Sequence, residues 1–291
     1  MKDLVLDLFN TKAIKACEAD KPFWLTSGKI GAYFINAEFL YGSGEESKEL
    51  LEFIDNALEN HNTLPEKVFE KVLNQYNSNS IYKNTIDELI EKVKENVNLE
   101  EVDYISGGER RDWFFSNIVA YILQKPHITI FKDETALVSN YNFTETNKIN
   151  DLQGKKCLHL SDLITEAASY VNLWIPAINK LNGEIKWTGT IVDRMQGGEK
   201  RLAEFGVETY PLVKVNKELF KTALQKGIIT ENQFNMIDKY MDNPDDTMRE
   251  FLKVHPEFLT ESLKGTGKTL VRVTKCINED IYGLGDLLKN V

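Results

Sequence analysis

A chain of 291 residues, 42% hydrophobic and 27% charged, can bury one large domain with an appendage and has the balance of an ordinary globular protein. Its 35 basic and 45 acidic residues leave a net charge of −10, which argues against nucleic acid or an anionic membrane as main partner but not against a local basic pocket. Three cysteines without CxxC spacing, four scattered histidines and no long apolar run argue against disulfides, zinc and membrane spans; MKDLVLDLFNTKAIKACEAD lacks a signal-peptide core, so a cytoplasmic location is expected.

Residues 3–17 predict an amphipathic helix ending near Asp20-Lys21-Pro22. FWLTSGKIGAYFINAEFL (23–40) reads as a hairpin bent at Gly28 and Gly31. Between 43 and 98 the pattern is helical three times, each helix opening on a capping-box signature: Ser43 with Glu46, Thr63 with Glu66, Thr85 with Glu88. From Val102 strands and helices alternate. Val102–Ser106 is a strand, Gly107-Gly108 a turn, DWFFSNIVAYILQ a buried helix and His127–Phe131 another strand. After a polar stretch, Cys157–Leu160 feeds a loop and a helix that should kink at Pro176 and end at Gly183. Strand Thr188–Val192, the loop DRMQGG, helix Glu199–Phe205 and strand Glu208–Val215 complete the series. This ordering predicts an α/β fold with a mainly parallel sheet and ligands at the carboxyl ends of its strands. After Asn216 the chain turns helical, through Thr230/Gln233, until a strand-like run at Thr269–Ile277. The expected organisation is a domain over 1–215, with helices inserted at about 43–98, and a mostly helical extension over 216–291.

The segment KKCLHLSDLITEAASY (155–170) carries the best organised chemistry. A strand feeding through a tight loop into a helix start offers unpartnered amides to an anion, and Asp162 at the strand end could hold ribose hydroxyls or a metal. Simple capping is the competing role for Asp162, and dipole neutralisation the competing role for Glu166. His159 reads as a core imidazole. GTGKT (265–269) looks like the end of a phosphate-binding loop, but Ser262 stands at its first glycine position and no apolar strand precedes it.

Four segments, in order, resemble orotate phosphoribosyltransferases, which have the type I phosphoribosyltransferase fold: LTSGKIGAYFINA, ISGGERRDWFF, LHLSDLITEAAS and IVDRMQGGEKRLAEFGV. The resemblance implies Mg2+-dependent transfer of ribose 5-phosphate from phosphoribosyl pyrophosphate (PRPP) to orotate by a homodimer with an N-terminal hood. It assigns Asp162 to catalysis at the ribose, holding its hydroxyls or their metal, and Thr165, Glu166, Ala167, Ala168 and Ser169 to the 5-phosphate. Gly108, Arg110, Arg111 and Lys132 fall to pyrophosphate, and Lys29, Tyr33, Phe34 and Arg194 to the base. Ser161 stands where the family carries the first acid of a pair, Glu166 where it carries a threonine, and Ala167-Ala168 where it carries glycines. A mobile catalytic loop rich in lysine is expected between Lys132 and Asp151, where only Lys148 occurs. These departures support two other readings: a degenerate member that binds a nucleotide or PRPP without turnover, or transfer to a different acceptor.

Overall fold

The computed structural model describes residues 4–18 and 20–285. The chain divides into two compact units, one built from residues 1–11 and 37–215 and the other from 12–36 and 216–291.

The first unit opens with α1 (Leu4–Asn10), far shorter than the helix expected over 3–17, whose first residue lies outside the described residues. Lys12 takes a left-handed φ of 61°, and beyond it Ile14–Ala16 is a strand of the second unit, β1. Strand partners explain the change: β1 pairs antiparallel with Tyr33–Ile35, whose ladder outweighs the local helical preference. Within the same second-unit segment, β2 (Phe23–Trp24) and β3 (Ile30–Gly31) form the expected hairpin, and β4 is Tyr33–Ile35. Gly28, at φ 86°, makes its turn, whereas Gly31 lies inside β3.

Back in the first unit, the insertion is three helices: α2 (Gly44–Ala57), α3 (Leu64–Ser78) and α4 (Ser80–Asn96). Their caps differ from the boxes read in the sequence. Ser43 Oγ accepts from the Glu46 amide at 3.1 Å, but the Glu46 carboxylate turns to Gln75 at 3.0 Å. Thr63 makes no side-chain cap bond. The third helix starts well before Thr85, because Asn79 Oδ1 accepts from two orphan amides, Ile81 and Tyr82, each at 3.0 Å. Thr85 lies one turn inside, its hydroxyl donating to the Ile81 carbonyl at 2.9 Å.

Seven strands make one sheet: β5 (Tyr104–Gly108), β6 (His127–Ile130), β7 (Ala136–Ser139), β8 (Thr146–Lys148), β9 (Lys156–Ile164), β10 (Glu184–Asp193) and β11 (Glu208–Lys214). Their spatial order is β11-β10-β9-β5-β6-β7-β8, parallel from β11 to β6 and antiparallel at β7 and β8. Gly107 and Gly108 sit in strand β5, not in a turn. A Cβ on Gly107 would strike Ser116 Oγ at 2.2 Å, and one on Gly108 the Trp174 ring at 2.2 Å, so glycine here buys close helix approach. β7 and β8 occupy the stretch expected to be a mobile loop; the chain there is an antiparallel extension of the sheet.

Helix α5 (Trp113–Leu123) is buried along Trp113–Ala120. Between β9 and β10 a π-helical turn (Tyr170–Trp174) leads into α6 (Ile175–Lys180), with Pro176 in the latter's first turn. Proline, lacking an N–H, therefore marks a boundary where a kink was expected. Asn182, at φ 55°, and not Gly183, takes the left-handed position after α6. α7 (Gly198–Glu204) precedes β11. The architecture is the α/β, mainly parallel sheet flanked by helices that the alternation predicts.

The second unit continues with α8 (Lys217–Gln225), α9 (Glu231–Asp242), α10 (Pro244–Val254), α11 (Glu257–Leu263) and α12 (Gly267–Asn278). The capping box of Thr230 and Gln233 is present in both directions. The run Thr269–Ile277, expected to be a strand, lies in α12; Val273 and Cys276 are buried while Val271 is 69% exposed, a three-residue spacing that belongs to a helix. GTGKT is the junction of α11 and α12, with no strand before it. Among the described residues no helix is long and apolar enough to cross a membrane.

Candidate functional site

The carboxyl ends of β5, β6 and β9 open on a cleft of about 290 Å3, lined by Glu109, Arg110, Arg111, Asp112, Lys132, Ser161, Asp162, Leu163, Thr165, Ala167, Ala168, Ser169, Tyr170 and Trp174. A larger cavity of about 630 Å3 lies around His61, Leu137 and Lys148, but it holds no guanidinium and none of the residues assigned to PRPP or the base. The smaller cleft is where the chemistry gathers.

One wall is the turn that leaves β5. The Glu109–Arg110 peptide is cis. Each cation on this wall has a carboxylate partner: Arg110 pairs with Asp55 of α2, Arg111 Nε donates to Glu38 Oε1 at 2.9 Å, and Lys132 Nζ lies 3.4 Å from Glu109 Oε1. Glu38 is only 5% exposed, so its pairing with Arg111 satisfies a charge that burial would otherwise penalise.

The opposite wall is the loop after β9, followed by the helical segment that begins at Ala168. Thr165, Ala167, Ala168 and Ser169 all face the cleft. Ala167 adopts φ 55°, so one of the two alanines standing for family glycines does take a left-handed conformation; Ala168 does not. Glu166 is exposed, lies outside the cleft, and offers only its carbonyl, to Arg201 at 3.1 Å. The structure therefore does not bring its carboxylate into the cleft.

Asp162 stands at the floor, half-buried. Burial pushes its carboxyl well above the ordinary carboxylate range; Asp112 and Glu38 add to the rise and Arg111 opposes it. Ser161, at the missing acid's position, points inward: Tyr170 Oη donates to Ser161 Oγ at 2.9 Å, and Ser161 Oγ donates to Thr190 at 3.0 Å. Tyr170 also meets Thr188 at 2.6 Å. A charged acid in this closed hydroxyl chain would lack a counter-charge. His159 is fully buried between Ser106 and Asp112, the core imidazole expected.

Gly108 does not line the cleft; its amide is held by Asp112 at 3.0 Å. Arg194, at the end of β10, lies outside the lining, with its amide donating to the Ile164 carbonyl at 2.9 Å and a buried Nε without a partner. Lys29, Tyr33 and Phe34 belong to the second unit. There Lys29 pairs with Asp245 at 2.7 Å, Tyr33 packs edge-on against Tyr240, and Phe34 remains 38% exposed beside Phe23. The sequence reading missed Asp112 and the counter-carboxylates Glu38, Asp55 and Glu109. Asp112 did leave a signal, an acid just ahead of a helix, but that pattern reads as a cap.

No family model matches the chain. An orotate phosphoribosyltransferase from Sulfurisphaera tokodaii is 28% identical over 163 residues, covering 55% of this chain and 77% of that protein. The structure of orotate phosphoribosyltransferase from Francisella tularensis matches with a TM-score of 0.53 at 13% identity, over 82% of this chain and 96% of that one. UMP synthase from Leishmania donovani matches with a TM-score of 0.52 at 14% identity, over 82% of this chain, which spans only 42% of that one. With a mainly parallel sheet carrying a cleft at its strand ends, and with these likenesses, the chain has the type I phosphoribosyltransferase fold and is similar in sequence to an orotate phosphoribosyltransferase.

Proposed function

We propose that the protein transfers ribose 5-phosphate from PRPP to orotate, releasing pyrophosphate. The observation that carries this reading is the cleft: Arg110, Arg111 and Lys132 on one wall, Thr165, Ser169 and helix-start amides on the other, and Asp162 between them. Pyrophosphate departure leaves positive charge on the anomeric carbon, so the chemistry asks chiefly for positioning and charge neutralisation. The loop wall would take the 5-phosphate through hydroxyls and amides. Guanidinium groups of Arg110 and Arg111 would receive the departing pyrophosphate, exchanging their carboxylate partners for it. Asp162, in its charged form, would accept from the ribose hydroxyls and face the developing positive charge. Arg194, with an unpartnered Nε, would read the orotate carboxylate.

Mg2+ would enter on PRPP and neutralise part of its pyrophosphate charge. Among the described residues no group of three or more His, Cys, Asp or Glu side chains could hold a metal. Calorimetry with PRPP and Mg2+, followed by an orotate-consumption assay, tests the reading; PRPP binding and orotidylate formation are expected. A second reading, binding without turnover, draws on the carboxylate already paired with each cation. Tight binding with no orotidylate would select it, and no binding at all would sink both.

A further inference from the structure

Asp112 immediately precedes α5, where an aspartate ordinarily caps its own helix, yet its side chain makes no cap bond there. The carboxylate points instead into the sheet, 7% exposed, and joins two loops. Oδ2 accepts from the Gly108 amide, the last residue of β5 before the pyrophosphate turn, at 3.0 Å. Oδ1 accepts from the Asp162 amide, on the strand that ends in the 5-phosphate loop, at 3.3 Å. Behind it His159 Nε2 lies 3.4 Å from Oδ2, while His159 Nδ1 lies 3.0 Å from Ser106 Oγ. These partners assign the tautomer: the serine hydroxyl donates to Nδ1, and Nε2–H donates to the carboxylate. β5 and β9 are paired side by side only up to Ser106 and His159, so beyond that register the backbone ladder no longer fixes their separation.

We propose that Asp112 is the positioning residue that sets the spacing between the two walls of the cleft, with His159 and Ser106 holding its carboxylate in place. The geometry gives it a specific task. Where the sheet ladder stops, one carboxylate takes a backbone N–H from each diverging strand, so the pyrophosphate turn and the ribose-phosphate loop are indexed to the same pair of oxygens. Either oxygen, converted to an amide NH2, would present a donor to a donor and release one strand.

The proposal rests on the cleft being the PRPP site, so its test carries one readout independent of turnover. In Asp112→Asn, NMR amide exchange at Gly108 and Asp162 should accelerate at least about 10-fold for at least one of the two strands, the loss of a single protecting bond of about 1.4 kcal/mol. PRPP KM should rise, and kcat/KM for PRPP should fall roughly 100-fold, as expected for walls displaced by about 1 Å, while orotate KM stays near the wild-type value. His159→Gln, which keeps a donor for the carboxylate, should recover most of the protection and serves as the folded comparison should Asp112→Asn fail to fold. A purely structural role would lower the melting temperature and depress orotate and PRPP kinetics alike; that result, or unchanged exchange at both amides in a folded variant, overturns the proposal. Accelerated exchange in a protein whose wild type neither binds nor turns over PRPP would uphold the tie and overturn the proposed function instead.

Discussion

The two walls of the cleft are built on opposite electrostatic plans. The turn at 109–111 carries full charges, and every one is matched: Arg110 by Asp55, Arg111 by Glu38, Lys132 by Glu109. The loop at 165–169 brings hydroxyls, small side chains and amides, and its single charge, Glu166, lies outside the cleft. A phosphate can therefore enter the loop wall without displacing a protein group, whereas an anion reaching the turn must compete with carboxylates already in place. Charge complementarity on the turn side exists only after that exchange. The difference extends into the core below. Under the turn lie two buried imidazoles, His127 bound to Ser116 at 2.9 Å and His159 bound to Ser106. Under the loop lies the chain of hydroxyls from Tyr170 through Ser161 to Thr190, which has nothing to titrate in the acid range.

Acid should break the comparison most widely. Burial, with the neighbouring His159 adding to it, lowers the His127 imidazole to about 3. Its folded pKa lies below the ordinary value near 6.5, so as pH falls the unfolded chain takes up this proton first. The neutral imidazole is thus no burden above about pH 6.5, and stability falls through the window from there down to about 3. The slope from this group approaches about 1.4 kcal/mol per pH unit, on the order of 5 kcal/mol across the window. Denaturant unfolding at stepped pH should show that slope, and His127→Gln should flatten it. An unchanged slope in a folded His127→Gln variant would refute the assignment. Exchange protection measured at pH 5 should weaken in β6 and α5 before it weakens around Tyr170.

Asp162 sits between the two plans and should separate function from stability. Asp162→Asn should cut orotidylate formation by about 100-fold or more, since the proposed reaction sets this group against the ribose. Stability should move the other way. The folded carboxyl is raised above its unfolded value, so the folded state loses stability as pH climbs past about 4 and through the folded pKa; removing the group removes that loss. A variant both less active and higher melting at pH 7 is expected; lowered melting with unaltered turnover would contradict both halves.

Such behaviour shows what the sequence could and could not disclose. The parallel strands were legible because short buried β-prone runs such as Cys157–Leu160 and Thr188–Val192 alternate with segments of helical periodicity. Asp162 was legible because the apolar run Cys157–Leu160 stops at Ser161-Asp162, although β9 itself continues to Ile164. The hairpin of β7 and β8 was not, since Thr146–Lys148 is polar and largely exposed and offers no period-2 apolar pattern. Nor was the matching of the turn's charges: Glu38 and Asp55 lie 73 and 55 positions from their arginines, and nothing local in either segment announces a partner. Lys29, assigned by the resemblance to the base, pairs with the protein's own Asp245, 216 positions away, which nothing local announces.

Removing one counter-carboxylate should make the turn resemble the loop. Glu38→Gln frees Arg111 while keeping the side-chain shape, so inorganic pyrophosphate measured by calorimetry with Mg2+ should bind about 5-fold tighter, roughly 1 kcal/mol, with a steeper salt dependence. Because Glu38 also helps hold up the Asp162 carboxyl, the acid-side midpoint of the activity profile should move down in the same variant. Binding that weakens in a folded Glu38→Gln would mean that the carboxylate orients Arg111 toward the ligand and does not compete for it.

The smallest effect concerns the two alanines of the loop wall. Ala167 holds φ 55°, a conformation that costs an L-residue about 1–2 kcal/mol and glycine almost nothing. Against that relief, Ala167→Gly adds about 0.5–1 kcal/mol of backbone entropy and loses the burial of a methyl that is 4% exposed, about 0.8 kcal/mol. These opposing terms nearly cancel, so the melting temperature should hardly move. Ala168 opens the helical segment and has no positive φ to relieve, so Ala168→Gly should simply destabilise, by about 0.5–1 kcal/mol. If both glycines proved equally destabilising, Ala167 would carry no conformational strain. If Ala167→Gly alone left stability level and tightened phosphate binding, the methyl would be a steric obstacle on the very wall that otherwise receives its ligand without competition.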